Sequence, residues 1–305
     1  MIERDDRVLI EARVRPEAIP VLDQVIARQP YPLLFVTISG AHLYGFASAD
    51  SDFDLRGVHV LPARKVLGLD AGRETVQVDA IEGGLEIDLV SHDAAKFFGL
   101  MLKRNGYVLE QLYSPLVVRT SPEHEELKRL GRGCITRHYV HHYLGFFATQ
   151  RKLFEKDQRL KPMLYTYRVL LTGIHLLRTG ELEANLEVLN GEFALPYIAE
   201  LLAAKREGRE QDVWRGGDLA FHLAEFDRLD GELKLAGEES GLADGPTVRA
   251  ELSEMLVGLR NRRNGVRPLP LALFAVARCP PLFPKRGNSP FRHSNHVGYL
   301  NIGQK

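Results

Sequence analysis

The chain has 305 residues, 45% of them hydrophobic and 26% charged, and its 40 Lys plus Arg balance 40 Asp plus Glu. That composition suits a globular chain with room for two ordinary domains, and its bulk charge points to no strongly acidic or basic partner. The two cysteines, Cys134 and Cys279, lie far apart, which excludes a disulfide framework and a Cys/His zinc cluster and fits a reducing cytoplasm.

Charge is unevenly distributed. No acidic residue follows Glu254, whereas nine basic residues do, from Arg260 through Arg262, Arg263, Arg267, Arg278, Lys285, Arg286 and Arg292 to Lys305. Such a tail suits either contact with phosphate backbones or simple solvation. The N-terminal stretch is charged and lacks the apolar core of a signal peptide. No run approaches the roughly 18 apolar residues of a membrane span.

In chain order, residues 16–29 carry Ile19, Leu22 and Ile26 at helical spacing, and Pro30 and Pro32 end the helix. Residues 33–38 (LLFVTI) read as a buried strand ending at Ser39-Gly40. A short helix over 41–46, a turn over 47–51 and a second strand over 52–60 follow. Residues 74–80 and 85–90 read as strands joined by a hairpin through Gly83-Gly84. From Ser91 the pattern is helical. Helices are expected over 92–104, from Asn105 as cap to Tyr113, then over 122–131, 134–155, 160–179, 194–206 and 217–235, with a linker marked by Pro115 and Pro122. The expected fold class is α+β. Residues 1–118 form an α/β domain, 119–278 a helical domain, and 279–305 an irregular basic tail rich in Pro, Asn, Ser and Gly.

Three carboxylates carry the chemical argument. Asp52 and Asp54, two apart on an extended segment, leave the same face. Two carboxylates that close repel unless a cation lies between them, and an all-oxygen environment suits Mg²⁺ or Mn²⁺. Asp88 sits in the apolar strand 85–90 and is costly to bury without a partner. If that strand neighbours 52–60, Asp88 reaches the same metals and helps a hydroxyl lose its proton. Two ions about 4 Å apart then stabilise the attacking and leaving oxygens of a phosphoryl displacement. Ser39-Gly40-Ala41 lies between the first strand and the short helix. Glycine there allows backbone N–H groups to approach a phosphate, and the helix start adds a favourable dipole. Arg56, two residues past Asp54, is placed to pair with an acid or with a phosphate.

Residues 36–57, VTISGAHLYGFASADSDFDLRG, resemble the signature of the polymerase-β nucleotidyltransferase superfamily, an apolar strand with Gly-Ser followed by Asp-x-Asp. The nearer resemblance is to RNA-repair-associated (RlaP-like, YcgL-like) nucleotidyltransferases, through Gly40, His42, Tyr44, Gly45, Ser51, Asp52, Asp54, Arg56 and Gly57. The stretches 86–91 (EIDLVS) and 105–112 (NGYVLEQL) extend it, and it covers roughly residues 33–180. Ala41 departs from the pattern, because the family has a serine there whose hydroxyl touches a nucleotide phosphate.

The resemblance implies a polymerase-β-like domain, a mixed β-sheet flanked by helices, followed by a helical domain that faces it across a cleft. It implies that Lys161, Tyr165 and Arg168 approach the triphosphate and base. Arg151 and Lys152 extend a basic wall. His138, His141 and His142 form a local cluster in which His138 and His142 have i, i+4 spacing, without a nearby acidic third ligand. His59 is read as structural, and Trp214 with its surrounding loop points to nothing in particular. The expected activity is metal-dependent transfer of a nucleoside monophosphate from a nucleoside triphosphate such as ATP to a hydroxyl, with pyrophosphate released. The resemblance makes an RNA end the acceptor and RNA repair the setting. The alternatives are a protein or small-molecule acceptor, or a non-catalytic nucleotide- or RNA-binding module, which Ala41 favours.

Overall fold

A computed structural model describes residues 14–207 and 219–262. The Trp214 loop, the basic residues beyond Arg262 and the tail over 279–305 lie outside the described residues.

Five strands form one mixed sheet: β1 (Leu33–Ile38), β2 (Phe53–His59), β3 (Thr75–Glu82), β4 (Leu85–Asp93) and β5 (Val117–Arg119), in the order β3-β4-β2-β1-β5. β2 and β4 are parallel, and the other neighbours are antiparallel. The strands form where β-branched and aromatic residues cluster. Gly83 and Gly84, both at positive φ, make the β3–β4 turn that their sequence announced. Twelve α-helices lie among the described residues. They begin with α1 (Ala18–Ile26), α2 (Gly40–Tyr44), α3 (Ala63–Leu67), α4 (Ala94–Met101), α5 (Gly106–Tyr113) and α6 (Pro122–Gly131). The long pair α7 (Val140–Asp157) and α8 (Leu160–Thr179) comes next, and then α9 (Leu186–Phe193), α10 (Pro196–Glu207), α11 (Leu219–Glu239) and α12 (Arg249–Arg262) complete the described chain.

Several expectations shift for physical reasons. His92 and Asp93 belong to β4, not to the next helix. Asp93 instead caps α4 by accepting from the Ala95 N–H. Asn105 caps α5 as expected, accepting from Tyr107 N at 3.0 Å. The stretch between Pro115 and Pro122, read as a linker, contains β5, too short to show a period. The helix expected from 134 starts at Val140, after two 3-10 turns at Arg132–Cys134 and Arg137–Tyr139. α3, α9 and α12 are additional.

All described residues belong to one compact unit, and the 118/119 division falls inside β5. Alternation explains why the core is continuous. Val36, Ile38, Leu55 and Leu89 leave one sheet face and join Tyr143, Met163, Leu170 and Leu233 of the helical half. Leu34, Val58, Phe97 and Leu127 build a second cluster. α8 is the central helix, buried along most of its length. Among the described residues, no helix is long and apolar enough to cross a membrane.

Candidate active site

Asp54 and Asp88 meet because β2 and β4 run parallel with these residues as direct register partners. Phe53 and Leu55 in β2 and Ile87 and Leu89 in β4 are buried. The period of two therefore sends both carboxylates to the other face, where they stay half-buried. Asp52 lies just before β2. Asp79 of β3, which drew no notice in the sequence, stands opposite Asp88 in antiparallel register. Asp52, Asp79, Glu86 and Asp88 line one open cleft of about 370 Å³. Only the pairing of β3 with β4 brings Asp79 there; in sequence it takes the exposed polar phase of the strand, like Gln77, and so gave no signal.

Arg56 resolves the alternative left open for it. Its Nη2 donates to Asp54 Oδ1 at 2.6 Å and to Asp88 Oδ2 at 3.0 Å, while Nη1 donates to the carbonyls of Leu55 and Asp88 at 2.9 and 2.8 Å. Burial raises the Asp54 carboxyl above the ordinary carboxylate range. Arg56 opposes that rise, Asp52 and Asp88 add to it, and Lys161 opposes it.

The cradle abuts the same acid. Ser39 N donates to the Asp54 carbonyl at 2.8 Å, so the end of β1 is tied to β2 at that residue. Gly40 has φ +62°, and a Cβ placed on it would lie 2.0 Å from Asp54 Oδ2. Glycine is required there both for its backbone and for the closeness of the carboxylate. Ser39 is buried and its hydroxyl does not cap α2. The Ala41 methyl packs in the main core, which accounts for an apolar side chain at a position where a hydroxyl was expected. α2 has five residues, so its macrodipole is small.

The donors for a divalent cation are carboxylate oxygens, which suit a hard ion. Asp88 Oδ1 is buried without a hydrogen-bond partner among the described residues, an oxygen that such an ion would satisfy. Yet no group of three or more His, Cys, Asp or Glu side chains converges as a metal cage among the described residues. Arg56 supplies the positive charge between Asp54 and Asp88.

The helical half divides its three candidates. Lys161 and Tyr165, both half-buried, line a cleft of about 370 Å³ with Arg159, Pro162 and Gln150. Lys161 bears electrostatically on Asp54, and Tyr165 bears on Asp54 and Asp52. Burial raises the Tyr165 hydroxyl, and those acids add to the rise.

Arg168 does not face the cleft, which corrects the expectation that it meets a phosphate. It is fully buried, its Nη1 donates to Glu110 Oε1 at 2.8 Å, and its guanidinium carbon lies 3.8 Å from the Tyr44 ring centroid. Tyr44 donates to Glu110 Oε2 at 2.9 Å. A desolvated guanidinium must find a carboxylate, and Glu110 of α5 provides one.

Arg151 pairs with Glu155 at 2.8 Å and with Asp227, which neutralises it as part of a basic wall. His138 lies 3.9 Å from Asp244, whereas His142 packs edge-on against Tyr107, so the i, i+4 pair shares no ligand. His59 is buried and bonds Ser91 Oγ at 2.8 Å, a structural role. His42 stacks on Phe53 with centroids 4.3 Å apart.

The family model for RlaP, described as an RNA repair pathway DNA polymerase beta family, matches residues 14–257. An uncharacterized protein of Methanocaldococcus jannaschii is 33% identical over 156 residues, which are 50% of this chain and 63% of that protein. The chain thus matches less than two thirds of that relative's length. A nucleotidyltransferase-like protein from Exiguobacterium sibiricum, solved as a crystal structure, aligns with 14% identity and a TM-score of 0.29, covering 82% of this chain and 91% of the other.

Proposed function

The chain belongs to the RlaP family and is a polymerase-β-family nucleotidyltransferase, and we propose that it moves a nucleoside monophosphate from a nucleoside triphosphate to the hydroxyl of an RNA end, releasing pyrophosphate. The observation that carries this reading is the register pairing of Asp54 with Asp88 beside the Gly40 backbone. Asp52, Asp54 and Asp88 are the residues that would hold Mg²⁺ or Mn²⁺. Bound there, the ions supply charge neutralisation at the phosphates and acidify the attacking hydroxyl. The chain's own groups do the rest. First-turn N–H groups at Gly40 and Ala41 receive phosphate oxygens, with Ser39 fixing the strand end beside them. Lys161 adds a cation for the triphosphate, and Tyr165 offers an aromatic face for the base. Asp88 accepts the acceptor hydroxyl's proton. Arg56 holds Asp54 and Asp88 in register.

The family's description as an RNA repair pathway family supports the RNA acceptor and a repair role. A protein or small-molecule acceptor is the second reading, and it keeps the same chemistry. The division of labour assigns the acids to residues 1–118 and Lys161 and Tyr165 to residues 119–278.

The experiment is incubation with each α-labelled nucleoside triphosphate, Mg²⁺ or Mn²⁺, and RNA or protein. Asp52→Ala and Asp54→Ala serve as controls. Label on RNA that both variants lose supports the proposal. Label on protein replaces the acceptor. Nucleotide bound without any transfer refutes the catalytic reading.

A further inference from the structure

The segment between the glycine cradle and the acid pair is gripped from the helical half at successive points. Arg168 of α8 stacks on Tyr44. Arg206 of α10 donates to the Gly45 carbonyl at 3.0 Å. Its neighbour Lys205 donates from Nζ to Ser48 Oγ at 2.9 Å, across 157 residues of sequence. Lys205 is 2% exposed and Ser48 is 8% exposed. Ser48 Oγ lies 3.1 Å from Ser51 Oγ, and Ser51 Oγ also accepts from Ser48 N at 2.9 Å. Ser51 directly precedes Asp52.

An ammonium only donates, so Ser48 Oγ accepts from Lys205, and either hydroxyl can donate in the Ser48–Ser51 contact. Each bond in such a series polarises the next. A buried ammonium is expensive, and an apolar side chain of similar volume commonly serves stability as well. Its bond to Ser48 reaches the turn. The turn over 47–51 has no strand or helix of its own to fix it, yet it must deliver Asp52 beside Asp54.

We propose that Lys205 is a positioning residue for Asp52: it pins Ser48, Ser48 pins Ser51, and the turn so fixed sets where the Asp52 carboxylate stands. The helical half is then a template for the acidic site as well as one wall of the cleft. This rests on the reading of Asp52 as a metal-holding acid.

The test measures Mn²⁺ binding to the full chain by electron paramagnetic resonance, together with amide hydrogen exchange over residues 48–51. The variants are Lys205→Met, Ser48→Ala, Lys205→Met with Ser48→Ala, Lys205→Arg and Asp52→Ala. Groups hydrogen-bonded directly to metal ligands typically contribute about 10-fold or more to metal affinity, and a device that sets a ligand's turn should fall at the low end of that range. Lys205→Met and Ser48→Ala should each weaken Mn²⁺ binding about 10-fold and speed exchange in the turn. The double variant should be no worse than Lys205→Met alone, and Lys205→Arg should restore part of the affinity. Should Lys205→Met fail to fold, Ser48→Ala, which removes a single hydroxyl, decides. Wild-type Mn²⁺ affinity in Ser48→Ala and Lys205→Met, with affinity lost in Asp52→Ala, overturns the proposal and leaves the acidic site standing. Wild-type affinity in Asp52→Ala overturns the reading beneath it.

Discussion

Substituting Gly40 by Ala isolates the closest approach in the site. The new Cβ would sit 2.0 Å from Asp54 Oδ2. An ordinary carbon–oxygen contact is about 3.3 Å or more, so the carboxylate must retreat by more than about 1 Å. The backbone at φ +62° adds strain on the order of 1–3 kcal/mol for a residue with a side chain. Gly84 supplies the control, because its φ is +75° and nothing lies within 4 Å of its Cβ position. Both variants should lose comparable stability in urea unfolding. Only Gly40→Ala should lose turnover, by on the order of 10²-fold, the usual effect of a displacement of about 1 Å at a reacting centre. The readout is label transfer from the preferred nucleoside triphosphate, with unfolding followed on the same samples. Equal activity in the two variants would refute the view that Gly40 is glycine because Asp54 presses on it.

Arg168→Met strands Glu110 as a buried charge and should cost about 3–5 kcal/mol in urea unfolding. Adding Glu110→Leu should return most of that, and a single variant as stable as the wild type would remove the pair from the account. His124 is buried, stacked on Phe35 and bonded to Thr120 and the Leu112 carbonyl, and burial lowers its pKa to about 4. A histidine held neutral when folded binds its proton first in the unfolded chain. Its contribution is therefore intact above about pH 6.5 and drains away as pH falls toward 4, by up to about 3 kcal/mol. His124→Gln should flatten that part of the stability–pH curve, and an unchanged slope would contradict the assignment. Lys161→Ala should lower kcat/KM for the triphosphate by about 10-fold or more, as expected for a lost bond to a charged group, and unchanged kinetics would remove Lys161 from the site.

The sequence made the sheet legible because its strands are marked by composition and by glycine. Residues 33–38 form β1 as read, and Gly83-Gly84 turns between β3 and β4. It did not reveal β5, whose three residues show no period, or α9, whose start depends on Asn185 capping Glu187 and Val188. The aspartates at 52, 54 and 88 were legible because spacing of two fixes a face. Their meeting was not, because register between β2 and β4 is a long-range property. Asp79 and Lys205 were hidden for the same reason: each reaches the acidic region through pairing or packing that no local pattern encodes. Arg168 shows the opposite failure. The resemblance made Arg168, midway along α8, a phosphate ligand, and its burial against Glu110 gives it a different task.

Asp54→Asn separates a role of Asp54 in nucleotidyl transfer from one in folding. Wild-type protein and Asp54→Asn should be compared with α-labelled nucleoside triphosphate, Mg²⁺ and an RNA bearing a free terminal hydroxyl, counting labelled RNA and pyrophosphate together. The account predicts equal yields of the two products in the wild type. It predicts a loss on the order of 10²–10³-fold in a folded Asp54→Asn variant, the effect of removing one preorganised electrostatic group. Matching rates in the two proteins would contradict it.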